Sequence, residues 1–350
     1  MLRVLFCGLK YEYGKPSWGL SFEYQNFYEV LKNMQGVEAE GFFVDEKIME
    51  SGRDVMNPML IKTIAEKNPD LLFTFLFTEE IKKETIEHIT KKTKTKTFNW
   101  FADDHWRFPV YSKYWAPLFT AVSTTDSKAV EKYKKIGVRV IKTQWAANTT
   151  LYFPKKVTNS YGITFVGKKY GSRPDYISFL ESAGLSVEAF GSAWQNGRVE
   201  FEKMLDIFSN SKINLNFTES PYVTARERMK LLAKLFVKKE LGSYKFSGHN
   251  FIANLKSAFG AQRRQIKGRT FEVPACGGFL LTADADNLSD YYVDGKEVVI
   301  FKSMNEMMEK AKYYLEHQEE RDKIAKAGYE RTIKEHTYEQ RFKEIFSKLF

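Results

Sequence analysis

An α/β fold built from two doubly wound, mostly parallel sheets is predicted by three observations. Short apolar runs recur along the chain with stretches of helical length between them, an alternation that covers both faces of a parallel sheet with helices. The alternation lapses once, around residues 145–160, and then begins again. The 350 residues, 43% hydrophobic and 15% aromatic, are enough to fill two cores and argue against disorder.

The chain opens with a strand-like run, Leu2 to Cys7, followed by a glycine-containing loop, GLKYEYGKPSWG, and a helical pattern from about Leu20 to Met34. Further strands are expected at Ala39–Val44, Leu71–Phe77, Lys96–Ala102, Leu118–Val122 and Val138–Thr143. Helices are expected between them at Asn57–Lys67, Glu79–Lys91 and Asp126–Lys135. The segment WAANTTLYFPKKVTNSY is polar, carries a proline and holds no period, so it reads as a linker. The second half resumes with strands Gly162–Val166, Ser186–Phe190, Ile213–Phe217, Phe279–Thr282 and Glu297–Phe301. Helices Pro174–Ala183 and Glu200–Ser209 lie among them, and Met304–His317, Glu319–Lys334 and Tyr338–Leu349 close the chain. The expected domains are 1–150, a linker 151–160, and 161–350 with a basic helical insertion at about 220–268. The terminal helix is expected to pack back on the first domain. Ligands of such sheets sit beyond the carboxyl ends of the strands, which puts the expected site in a cleft between the domains.

Only Cys7 and Cys276 are present, each in an apolar run, so neither a disulfide framework nor a zinc site is available from cysteine. The amino-terminal apolar run is too short for a secretory segment, and a cytoplasmic location is expected. The net charge of +10 is localised: Ser220 to Arg269 holds seven lysines and five arginines against Glu227 and Glu240, leaving the remainder neutral. Within it, PYVTARERMKLLAKLFVKKELG places Met229, Leu232, Leu235 and Phe236 at helical spacing and Lys230, Lys234 and Lys238 on another face. Such a helix suits a solvated face, a packed interface, a lid over a ligand, or peripheral contact with an anionic membrane.

In RTFEVPACGGFLLT, Glu272 is the one carboxylate of an apolar run, expected on a brief helix, Phe271–Cys276, beneath the strand that follows. A carboxylate that loses water there needs donors. Arg269, three residues earlier on the same helix face, is one candidate and a ligand is the other.

The span from YGITFVGKKYGSRPDYISFLESAGLSVEAFGSAW through SKINLNF and QIKGRTFEVPACGGFLLT to GKEVVIF and EHTYEQR resembles the carboxyl-terminal half of the CgeB-like spore-maturation glycosyltransferases. These are relatives of the retaining nucleotide-sugar glycosyltransferases with the GT-B fold. For residues 1–150 the resemblance rests on NWFADDHWRFP and the strand-helix order. It implies two Rossmann-like domains, a nucleotide-diphosphate sugar as donor substrate, no cofactor and no metal. It also implies that Glu272, starting the helix before Gly277, accepts hydrogen bonds from both ribose hydroxyls. Bonds to a charged acceptor contribute about 1.5–3 kcal/mol each. The loop FVGKKYGSR matches a strand-glycine-basic loop, in which Gly167 lets backbone approach the ligand while Lys168 and Arg173 neutralise the diphosphate. Lys267 and Arg269 occupy the place of a loop near the sugar and phosphates, where fixed cations stabilise a departing nucleoside diphosphate.

The sequence departs from the wider group eight positions before Glu272, where a sugar-side glutamate is replaced by Arg264; Glu219 is the candidate for a displaced counterpart. In the first half, Asp103, Asp104 and His105 follow a strand. They are candidates for acceptor binding or general-base work, with a metal pair or a local capping loop as alternatives. The expected function is glycosyl transfer from a nucleotide-diphosphate sugar to an envelope, spore-surface or protein-linked glycan, and the resemblance implies retention. The alternatives are a sugar-nucleotide epimerase of the same fold and a nucleic-acid-binding protein using the basic segment.

Overall fold

A computed structural model describes residues 1–76, 78–156, 160–218, 237–240, 243–246 and 251–350. Two compact units result: Met1–Gln144 with Leu235–Ser257 and Arg341–Phe350, and Trp145–Lys234 with Ala258–Gln340.

The first unit contains six parallel strands, β1 (Leu2–Gly8), β2 (Val37–Phe43), β3 (Leu71–Thr74), β4 (Lys96–Phe101), β5 (Ala121–Thr124) and β6 (Val140–Lys142), in the order β2-β1-β3-β4-β5-β6. The central strands are apolar because helices cover both of their faces: Val4 to Cys7 and Leu71 to Phe73 are all buried. The edge strand β2 differs. It carries Glu38 and Glu40 and buries only Phe42, a composition that discourages pairing with a further strand. One face of the sheet packs Leu5, Leu60, Leu72, Ile86 and Val122. On the other, the fully buried Phe27 meets Trp100 at 4.9 Å, Phe75 at 5.3 Å and Phe342 of the terminal helix at 5.5 Å.

The second unit contains β7 (Tyr161–Val166), β8 (Val187–Phe190), β9 (Ser211–Asn216), β12 (Leu280–Ala283) and β13 (Val299–Phe301), ordered β13-β12-β9-β7-β8 and all parallel. Numbered within its own unit the order is 2-1-3-4-5, the same as the first five strands of the other sheet. Between them in sequence, β10 (Val237–Glu240) and β11 (Ser243–Phe246) form an antiparallel hairpin. In such sheets the strand order reverses at the first strand, and the crevice there, between β1 and β3 or between β7 and β9, is where ligands bind.

Several elements differ from the sequence-based expectation. Val44 ends no strand; it begins a helix, Val44–Ser51, that the short apolar run concealed. The basic helix expected to run past Lys238 gives way to β10 at Val237, and its earlier part lies outside the described residues. The segment expected to be linker is partly core: Ala146, Ala147, Asn148 and Tyr152 are buried, and Ala147 makes a parallel bridge to Thr337. Its polar side chains satisfy local turns, as where Asn148 accepts from Thr150, so polarity did not signal exposure.

Candidate functional site

The second unit gathers basic residues and one carboxylate at the carboxyl ends of β7 and β9. Strand β7 ends at Val166, and Gly167 turns the chain away from the sheet. A Cβ on Gly167 would lie 2.7 Å from the Phe165 ring and 3.3 Å from the Arg173 guanidinium. The end of β8 presses still closer: Gly191 has φ +128°, and a Cβ there would fall 2.3 Å from the Gly167 carbonyl oxygen. Trp194 secures the same carbonyl by donating its indole N–H at 2.9 Å. The loop after β7 is therefore fixed by its neighbours.

Arg173 starts the helix Arg173–Ser182 and folds back over that loop. Its Nη1 donates to the Lys168 carbonyl at 2.8 Å, and its guanidinium lies 4.0 Å from the Tyr170 ring centroid. Its Nε is buried without a hydrogen-bond partner, and no carboxylate pairs with it among the described residues. Burial lowers its pKa; Tyr170 opposes that shift and the charge of Arg269 adds to it. A half-buried cation with one buried, unsatisfied donor and a second cation in electrostatic reach would suit an anion. Lys168 itself is exposed.

Glu272 lies in the first turn of the helix Arg269–Ala275 and is 3% exposed. This helix descends from the carboxyl end of β9 to the start of β12, so its first turn faces the same end of the sheet as Gly167. Asn216, the last residue of β9, confirms the position by donating to Thr270 Oγ1 at 3.2 Å. Arg269 is bonded to Glu272 and lies 5.1 Å from the Phe208 ring centroid, with Nη2 3.2 Å from Met204 Sδ. Burial disfavours the Arg269 charge, but Glu272 and Tyr152 outweigh it and raise its pKa. The internal pairing anticipated from sequence is thus present. Burial, with Glu272 adding, pushes the Cys276 thiol up to about 12, so it stays a thiol. Tyr152, from the segment taken for linker, is the neighbour that the sequence concealed.

Lys267 is half-buried just before this helix, its carbonyl accepting from Thr270 N–H at 3.0 Å. Gly277 ends the helix at φ +72°: its N–H reaches the Pro274 carbonyl at 2.8 Å and the next N–H reaches Val273 at 3.1 Å. That pair of bonds is a Schellman stop, which gives Gly277 a structural role. Glu219 lies outside the described residues.

In the first unit, Asp103 adopts the left-handed conformation, φ 59°, after β4, and its carbonyl accepts from Trp106 and Arg107; its side chain caps nothing. Asp104 is fully buried and accepts from the Tyr133 hydroxyl at 2.8 Å. Burial pushes its carboxyl up to about 6 against the bonds from Ser112, Thr124 and Tyr133. His105 is 7% exposed. Among the described residues no group of three or more histidine, cysteine or carboxylate side chains could hold a metal ion.

A glycosyl transferase-like family model matches residues 243–347. Spore protein CgeB of Bacillus subtilis (strain 168) is 23% identical over 235 residues, covering 64% of this chain and 66% of that protein. Among solved structures, Anabaena HepE in complex with UDP aligns with TM-score 0.62 at 10% identity, covering 99% of this chain and 100% of that one. Sucrose-phosphate synthase from Thermosynechococcus elongatus aligns with TM-score 0.62 at 8% identity, covering 100% and 99%. A glycosyltransferase from Rickettsia africae aligns with TM-score 0.60 at 10% identity, covering 99% and 98%. By sequence and fold together, the chain is similar to the CgeB-like glycosyltransferases and has the two parallel-sheet α/β domains of the GT-B fold.

Proposed function

We propose that this protein is a glycosyltransferase that takes a sugar from a nucleoside-diphosphate donor held by its second unit. The observation that carries the reading is one arrangement at the β7/β9 switch point. Glu272, a buried carboxylate, stands beside Arg269, and Arg173 feels the Arg269 charge while keeping a buried donor unsatisfied. A carboxylate accepts from both hydroxyls of a ribose diol; the cations balance a diphosphate, and most of all the charge that grows on it as the glycosidic bond breaks. Lys267 and Lys168 extend the cationic side. In this reading arginine supplies the charge compensation that a divalent metal would otherwise provide. HepE has been solved with UDP, UDP and glucose, and UDP-glucose, which makes UDP the first nucleotide to try.

Transfer with retention to a glycan of the cell envelope, the spore surface or a protein is the finer proposal, taken from the resemblance to CgeB-like proteins. The charge concentrated between Ser220 and Arg269 supports a cytoplasmic protein in peripheral contact with an anionic membrane. No helix among the described residues is long and apolar enough to cross one. A thermal-shift panel of nucleoside-diphosphate sugars tests the enzyme reading: one or more should stabilise the chain by linkage, and a flat response across the panel would refute it. An epimerase would convert its donor with no acceptor present, which product analysis separates from transfer.

A further inference from the structure

The helix Phe251–Gly260, with the sequence FIANLKSAFG, turns outward the side chains that a helix of a soluble protein usually hides. Ala258 is buried, whereas Ile252 is 69% exposed, Phe259 66% and Phe251 40%. Ile252, Leu255 and Phe259 stand at i, i+3 and i+7 and so share one face, with Leu255 half-buried and the exposed Lys256 at the border of the stripe. Large apolar side chains gathered on one exposed face mark a surface that meets a partner.

The surrounding charge identifies that partner. Between Glu240 and Glu272 the chain carries no acidic residue, while it holds Lys245, Lys256, Arg263, Arg264, Lys267 and Arg269. Arg263 pairs with Asp286 at 2.7 Å and Arg269 with Glu272, but both acidic partners lie outside this stretch. The hairpin that precedes the helix registers Lys238 directly opposite Lys245, a placement of like charges that is unfavourable by itself and is relieved by an anionic surface.

An apolar stripe inside a basic, acid-free stretch is the pattern of a helix lying in a bilayer interface, with its apolar side chains among the acyl chains and its cations at the head groups. Ten residues are about half of what a crossing helix needs, so this one lies along the surface. A nucleic acid would match the charge but not an aliphatic stripe. A second copy of the chain would match the stripe but bring the same positive charge against itself. We propose that the helix Phe251–Gly260 inserts Ile252, Leu255 and Phe259 into the interface of an anionic membrane, with Lys256 among the lipid head groups. This deepens the membrane contact proposed above and rests on it: charge brings the protein to the surface, and the helix anchors it there.

Both native cysteines are buried, so a cysteine introduced at an exposed position takes the environment-sensitive dye NBD selectively. Phe259→Cys and, as control, Met49→Cys on an exposed position of the first unit are labelled in the full chain and mixed with phosphatidylcholine vesicles with and without phosphatidylserine. NBD at position 259 should brighten and shift to the blue with the phosphatidylserine vesicles, and NBD at position 49 should not. In co-sedimentation, the double variant Ile252→Ser, Phe259→Ser should bind those vesicles about tenfold or more weakly than wild type, with an unchanged melting temperature because both positions are exposed. Vesicle binding with a silent dye at position 259 and an unimpaired serine variant overturns the insertion and leaves the membrane contact standing on charge alone. No binding to either vesicle overturns both. A dye response that grows with protein concentration in the absence of vesicles assigns the face to a second copy of the chain and overturns the insertion too.

Discussion

Arg269 is bonded to Glu272, so the carboxylate is held in place before any ligand arrives, and under the proposed function a ribose diol would compete with Arg269 for it. Asp104 is the contrasting carboxylate, buried with a hydroxyl partner. Its pKa is raised on folding, from the ordinary 3.8 to about 6, because burial outweighs its hydrogen bonds. The folded state therefore binds more protons than the unfolded chain between those values. Stability falls as pH rises from about 4 through about 6 and is constant above. Asp104→Asn, which keeps an acceptor for Tyr133, should gain in melting temperature relative to wild type as pH is raised from 4 to 7; a difference independent of pH would contradict the ionisation argument. Gly191→Ala should lower stability by about 2 kcal/mol or more in denaturant titrations, because it combines an unfavourable φ with a Cβ 2.3 Å from Gly167 O. Glu272 was legible in the sequence as a lone carboxylate in an apolar run. Tyr152 was not, because nothing local distinguishes a tyrosine that packs near Arg269 from one in a solvated linker.

At the scale of elements, strands were legible wherever they lie inside a sheet and read as unbroken apolar runs, as Leu71 to Phe73 does. Boundaries were not, since a strand's last apolar residue and the first of the next helix look alike; Val44 is the example. The hairpin of β10 and β11 was hidden by lysines at helical spacing, a pattern that does not register a strand pair. The terminal helix Tyr338–Leu349 shows what long-range packing adds. Phe342 is fully buried, 5.5 Å from both Phe27 and Phe73, although it lies more than two hundred residues away from either in sequence. Phe342→Ala should cost about 3–5 kcal/mol of stability, read from chemical denaturation; a loss below 1 kcal/mol would show that the helix is not part of the first unit's core.

For the whole molecule, two parallel sheets with one strand order supply two switch points. The second unit's carries Arg173, Arg269 and Glu272; the first unit's carries the exposed rings of Tyr13 and Trp18, with Lys15 Nζ 4.6 Å from the Trp18 centroid. Repetition of strand and helix made the fold class legible, whereas the side chains at the second unit's switch point come from segments far apart in sequence and converge only on folding. The excess of positive charge between residues 220 and 269 gives a further expectation: binding to vesicles containing phosphatidylserine should weaken steeply with salt, and salt-independent or absent binding would count against membrane contact. The central claim, that the second unit holds a nucleoside diphosphate through Glu272, is tested most directly by titrating UDP calorimetrically into wild type and Glu272→Ala. The account predicts binding by wild type and affinity lower by roughly ten- to a hundredfold in the variant; equal affinity in the two proteins would contradict it.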